Sequence, residues 1–227
     1  MKSQMRLSTK LIIAFGLLIA VQVSGNCISL LMLQKVDTAV IDLETNWLPS
    51  IDSISAIDRQ FQTFRRNELL HVLSTDDATM KDYDNRLAAC LTDLKKSMTT
   101  YEKLISSNDE RLTFQRFQNN LEKYLVVSKD VLNLSRQNQN AEAKKLVEGE
   151  SRTLFYAVSE ELAKLVLINK QGGSDSATEG RSAYQTGKIT VLSILIAATL
   201  LGVVVCLIII KGVNRQLGED PGYLQEI

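Results

Sequence analysis

The chain has 227 residues with 26 basic and 26 acidic side chains, a balance that argues against nucleic acid or an acidic polymer as partner. Two prolines, six Phe, six Tyr and one Trp favour long helices over a sheet-rich fold and point to an all-α protein. The three cysteines, Cys27, Cys90 and Cys206, have no metal-ligand spacing and exclude a disulfide framework; Cys90 reads as a small buried apolar residue.

Residues 1–10 hold Lys2, Arg6 and Lys10 and read as a cytoplasmic N-terminus. Residues 11–33 are long and apolar enough to cross a hydrocarbon core of about 30 Å, although Gln22, Ser24, Asn26 and Ser29 weaken the outer half. No small-x-small cleavage site is evident, so this is an uncleaved transmembrane anchor. Residues 189–210 form a second transmembrane span, closed by Lys211 and Arg215, which the positive-inside rule places in the cytoplasm. Residues 34–188 therefore fold outside.

Within that external stretch, Val36, Val40, Leu43, Trp47, Ser50, Ile54, Ile57, Phe61 and Phe64 alternate spacings of four and three, a coiled-coil seam with a bend expected at Pro49. The polar run Ser74-Thr75-Asp76-Asp77 predicts a turn and a helix N-cap, followed by a seam of Met80, Tyr83, Leu87, Cys90, Leu94, Met98 and Tyr101. A second turn is expected at Ser106-Ser107-Asn108-Asp109, ahead of a helix carrying Phe114, Phe117, Leu121, Tyr124, Ser128 and Val131. A fourth helix begins near Ala141 and runs through Leu154, Val158, Leu162, Leu165 and Ile168 toward the second span. Short turns between four helices predict an up-down-up-down bundle. The stretch Gly172, Gly173, Ala177, Gly180, Ala183 and Gly187 admits two readings: a flexible juxtamembrane linker, or a helical seam of small residues along which a signalling helix slides. The long apolar seam of the first external helix also favours a homodimer, since a twin helix would bury it.

The string Asn46-Trp47-Leu48-Pro49-Ser50, followed by Arg65-Arg66-Asn67-Glu68-Leu69-Leu70-His71, resembles the first helix of the methyl-accepting chemotaxis proteins that have a four-helix-bundle ligand-binding domain. Residues 211–227, with Leu217-Gly218-Glu219-Asp220-Pro221, resemble the opening of a HAMP linker, and Pro221 matches the proline near the start of its first helix. The resemblance covers essentially the whole chain and implies that it stops inside that linker, ahead of the methylation helices and the kinase-contacting tip. It further implies a multi-pass receptor of the bacterial inner membrane with a periplasmic sensor domain. Its partners would be a small anionic ligand, the lipid bilayer, a second copy of the chain, and a histidine kinase with its adaptor, reached through a region absent here. Sensor histidine kinases and cyclases share the architecture, so an input region of that kind is the alternative. A docking or spacer bundle without a small ligand is the third.

The family binds small molecules toward the membrane-distal end. Counting from the distal turns at 1.5 Å per residue places Arg65, Arg66, Arg86, Arg152, Thr153 and Tyr156 at similar heights, with Arg59 one to two turns lower. Guanidinium groups suit the carboxylate of an amino acid or organic acid. The competing reading is ordinary ion pairing with Glu68, Asp82, Asp84, Glu148 and Glu150, each pair contributing about 0–1 kcal/mol. His71, the single histidine, reads as a packed or exposed helix residue with a pH sensor or metal ligand as the sharper alternative. Tyr83, Tyr101 and Tyr124 read as core. No nucleophile with a base, phosphate loop or metal-spaced set is present, so the expectation is a non-enzyme without cofactor or metal.

Overall fold

The computed structural model describes residues 7–217, and these are helical with short turns and no strand. The helices are α1 (Leu7–Asp42), α2 (Leu48–Leu73), α3 (Asp77–Glu102), α4 (Asn108–Arg136), α5 (Asn140–Glu148) and α6 (Glu150–Leu217), with a π-helical turn at Leu43–Trp47. The fold is all-α and built on a four-helix bundle, as the periodicity predicts. The HAMP-like string around Pro221 lies outside the described residues.

The chain divides into two compact units. The bundle occupies Val40–Ala177 and packs the apolar seams of α2, α3, α4 and the first part of α6 into one core. Ile54, Ile57 and Phe61 of α2, Tyr101 of α3, Phe117 and Tyr124 of α4, and Val158 and Leu165 of α6 are completely enclosed. Phe61 joins them with its ring stacked on Phe155 at 5.2 Å and edge-on to Tyr124 at 5.0 Å. Both predicted turns carry their caps: the Asp76 carboxylate accepts from Thr79 N–H at 2.8 Å, and Ser107 Oγ accepts from Glu110 N–H at 3.1 Å.

Two departures from the expected pattern have physical causes. Proline has no N–H to give the preceding turn, and instead of a sharp bend the chain widens there, with Leu48 N–H bonding the Leu43 carbonyl in the π-turn just ahead of Pro49. The extra residue in that turn shifts the register below it. Ala39 is buried while Val40, expected on the seam, is 53% exposed. The fourth helix is also interrupted near its start: Gly149 separates α5 from α6, and α5 forms a small satellite core in which Ala143 and Val147 pack on Val72, Val127 and Val131.

The second unit draws on the described parts of Met1–Ala39 and Thr178–Ile227. Both α1 and α6 carry stretches long and apolar enough to cross a membrane, and their large apolar side chains face outward, Ile12 at 72% and Leu200 at 63% exposure among them. Ser24 and Ser29 in the first span satisfy their hydroxyls on the carbonyls of Ala20 and Gly25, which explains how an apolar segment tolerates them. Small residues set the packing: a Cβ on Gly180 would lie 2.9 Å from Ala39, and one on Gly187 would lie 3.1 Å from Met32. From Gly172 to Gly187 the backbone is helical throughout, so the small residues form a helical seam instead of a flexible linker.

Candidate functional site

A buried polar level crosses the bundle near the α2–α3 turn. Arg65 lies within it at 8% exposure, with Nη1 donating to Glu68 Oε2 at 2.7 Å and to Ser151 Oγ at 2.6 Å, and Nη2 donating to the Val147 carbonyl at 3.0 Å. The break at Gly149 leaves the last carbonyls of α5 without their usual helical donors, and the guanidinium supplies one. Its plane also lies against Phe155, 5.6 Å from the ring centre. Tyr124 donates its hydroxyl to the same Glu68 Oε2 at 2.7 Å, and burial, followed by the neighbouring Glu68 charge, pushes its pKa well above the usual phenol range. Glu68 Oε1 has no partner among the described residues.

One turn further along α2, His71 is fully enclosed. Its Nδ1 lies 2.9 Å from Ser135 Oγ, and its Nε2 lies 3.5 Å from Asp84 Oδ1, which Arg136 also binds at 2.6 Å. Cys90, also near this level, accepts from Asn67 Nδ2 at 3.8 Å; burial pushes its thiol pKa up, in keeping with an inert core residue.

Lower on the bundle, α2 and α6 enclose an open cavity of about 330 Å³ lined by Ser55, Asp58 and Arg59 from one helix and Ser159, Leu162, Ala163 and Val166 from the other. Arg59 is exposed and has no ion-pair partner among the described residues. Asp58 is held only by Gln62 Nε2 at 3.3 Å, and Ser159 Oγ is buried without a hydrogen-bond partner. Arg59 and Asp58 thus line one wall of the cavity beside the apolar side chains of Leu162, Ala163 and Val166.

The other sequence candidates are distributed differently. Arg65 is engaged by three protein acceptors, so it is a buried ion-pair residue and not a surface one. Arg86 is exposed, paired with Asp82 at 2.8 Å and lying over Tyr83. Arg66 and Arg152 are exposed, Thr153 returns its hydroxyl to the Gly149 carbonyl, and Tyr156 is 64% exposed with its ring edge-on to Phe155. Ser55, Asp58 and Ser159 were not read from the sequence. Ser55 and Arg59 share a face of α2 at a spacing of four, but their opposite wall comes from a helix 100 residues later.

A family model described as a four helix bundle sensory module for signal transduction matches residues 4–184. The chain is also 21% identical over 226 residues to a Bacillus subtilis (strain 168) protein named "Putative sensory transducer protein YvaQ". That alignment covers 98% of this chain and 40% of the relative, so the chain spans less than half of that protein's length. The buried four-helix core, the two apolar helices and the match over most of the chain lead to one conclusion: the chain belongs to the family of four-helix-bundle sensory modules for signal transduction in chemoreceptors.

Proposed function

We propose that this chain is the input half of a membrane chemoreceptor that takes a small carboxylate-bearing ligand, an amino acid or an organic acid, outside the inner membrane. The observation that carries this reading is the α2–α6 cavity, lined by Arg59, which has no ion-pair partner among the described residues, and by Asp58. Arg59 would hold the ligand carboxylate, and Asp58 would hold an ammonium where there is one. Lys10 at one end of the first span, and Lys211 and Arg215 after the second, support an outside bundle with both ends of the chain in the cytoplasm.

A ligand bridging α2 and α6 works by binding one arrangement of the two helices more tightly than another. Beyond the cavity α6 meets its neighbours through glycine, Gly172 against the Trp47 ring and Gly180 against Ala39, and such contacts permit small axial shifts at low cost. The displacement would pass along α6 to a cytoplasmic histidine kinase and its adaptor. A second copy of the chain would cover the outward leucines of α2, Leu48 and Leu73 among them, in a homodimer.

The test is thermal unfolding of the purified chain across a panel of amino acids and organic acids. A ligand at a hundred times its dissociation constant adds about 2.7 kcal/mol to the native state. Arg59→Ala should abolish the shift while the unliganded midpoint stays within about 0.5 kcal/mol of wild type, as for an exposed side chain. If no compound shifts the midpoint, or if Arg59→Ala leaves a shift intact, the site assignment fails.

A further inference from the structure

We propose that His71, with Ser135, Asp84 and Arg136, forms a proton-sensing site at the α2–α3 turn end of the bundle, making acidification a second stimulus independent of the small-molecule reading. His71 lies in the last turn of α2 at 0% exposure. Ser135 Oγ has one proton and lies 3.1 Å from the His71 carbonyl, positioned to donate to it. With that proton on the carbonyl, the 2.9 Å contact with Nδ1 is an N–H donated by the ring, which leaves Nε2 as a bare lone pair; with it on Nδ1, the ring N–H is on Nε2 and faces Asp84. Nε2 is enclosed, has no hydrogen-bond partner among the described residues, and lies 3.5 Å from the negatively charged Asp84 Oδ1. In the Nδ1–H tautomer this is an acceptor facing an acceptor.

A proton on Nε2 turns that opposition into a donor–acceptor pair, and the new N–H competes for Oδ1 with Arg136 Nη2. The groups that meet here come from three helices: His71 from α2, Asp84 from α3, Ser135 and Arg136 from α4. On α2 itself the nearest carboxylate, Glu68, is already engaged by Arg65 and Tyr124. Helix α5 packs beside them on Val72 through Ala143 and Val147, and its Glu142, Lys144, Lys145 and Glu148 are exposed. On α6, Glu150 and Arg152 are exposed as well.

Burial holds the imidazole below its ordinary value of 6.5; Asp84 opposes that shift and Arg136 adds to it. The sign follows. An opened end, with His71 in water, binds a proton more readily than the closed one, so the closed state is fully favoured above pH 6.5. That preference is lost as pH falls from 6.5 toward the lowered value, by up to about tenfold per pH unit. Protons therefore favour an opened arrangement of α2, α3 and α4 near the turn.

Because His71 is the only histidine, ¹⁵N-histidine labelling of the full chain in nanodiscs, with a histidine-free purification tag, gives one imidazole spectrum. The expected result is the Nδ1–H tautomer at pH 8 and a titration midpoint below 6.5. Hydrogen exchange in the last turn of α2 should accelerate below pH 6.5 in the wild type and stay flat in His71→Gln. Asp84→Asn keeps the ring and removes the facing charge, so its midpoint should fall further. The Nε2–H tautomer at pH 8, a wild-type midpoint at or above 6.5, an unchanged midpoint in Asp84→Asn, or equal acid sensitivity of exchange in wild type and a folded His71→Gln would each overturn the proposal. If His71→Gln does not fold, the first two measurements decide.

Discussion

Two of the carboxylates the bundle buries, Glu68 and Glu110, each accept a tyrosine hydroxyl at 2.7 Å, yet the two are finished very differently. At the α3–α4 turn, both oxygens of Glu110 are occupied: Oε1 accepts from Tyr101 and from Asn169 Nδ2 at 2.9 Å, and Oε2 accepts from Ser106 N–H at 2.9 Å. At the α2–α3 turn, Glu68 leaves Oε1 without a donor, and one turn away His71 Nε2 is also orphaned. A satisfied carboxylate rigidifies its surroundings, whereas each buried unsatisfied group costs about 1–3 kcal/mol that a rearranged state can recover; at the first end Asn169 Oδ1 is such a group, although Glu110 itself is fully paired. The first end is a clamp holding α3, α4 and α6 together. At the second, the buried Glu68 depends on one cation, Arg65.

The largest expected effect tests that dependence. Arg65→Ala removes the one positive partner of the buried Glu68 and the donor to Val147, and should cost about 3–5 kcal/mol, a drop of roughly 10 °C in thermal midpoint. The adjacent Arg66→Ala, at an exposed position, should stay within about 0.5 kcal/mol. Similar small losses in both would mean that Glu68 draws its support from elsewhere, and the contrast between the two ends would weaken. Circular dichroism on the three proteins under one buffer condition decides it.

How far such features are legible in the sequence depends on whether a residue acts within its own helix. The apolar seams and both N-caps depend on spacings of three and four, and apart from Val40, Tyr83 and Ile168 they appear where the pattern puts them. Even the Glu110 clamp left a trace, since Ser107 followed three residues later by Glu110 is the signature of a capping box. The burial of Asn169 and Arg65 was not legible. Asn169 pairs across 59 residues with Glu110, and it displaces Ile168 from the position the apolar count would assign to the core. Arg65 is needed because Gly149 breaks a helix 84 residues downstream, and nothing in the run around Arg65 records that break. The cavity at Arg59 is likewise a property of two helices, closed by Ser159 and Ala163 on a face that neither helix specifies alone.

A smaller effect sharpens the comparison at the clamp. In Glu110→Gln one oxygen becomes an amide nitrogen, which must face either the Tyr101 and Asn169 donors or the Ser106 N–H. The expected loss is about 1–3 kcal/mol, read as a lower denaturant midpoint with an unchanged slope. A neutral outcome would show that the clamp has room to reorganise and is no tighter than the other end.

The smallest effect concerns how α6 leaves the clamp. A Cβ at Gly172 would overlap the Trp47 ring, whose Nε1 donates to Ser176 Oγ at 2.9 Å and so cannot simply swing aside. Gly172→Ala gains about 1 kcal/mol of helix propensity but overpacks the contact by about 1–3 kcal/mol, for a net loss of about 1 kcal/mol. Trp47 is the only tryptophan, so its emission reports this contact alone and should shift in the variant. Ser176→Ala frees the ring without adding volume. Combined with Gly172→Ala, it should recover part of the lost stability, because the indole can then move off the new methyl. If Gly172→Ala is instead stabilising with unchanged emission, the helix has slid to accommodate the methyl, and α6 is mobile at this level even without a ligand.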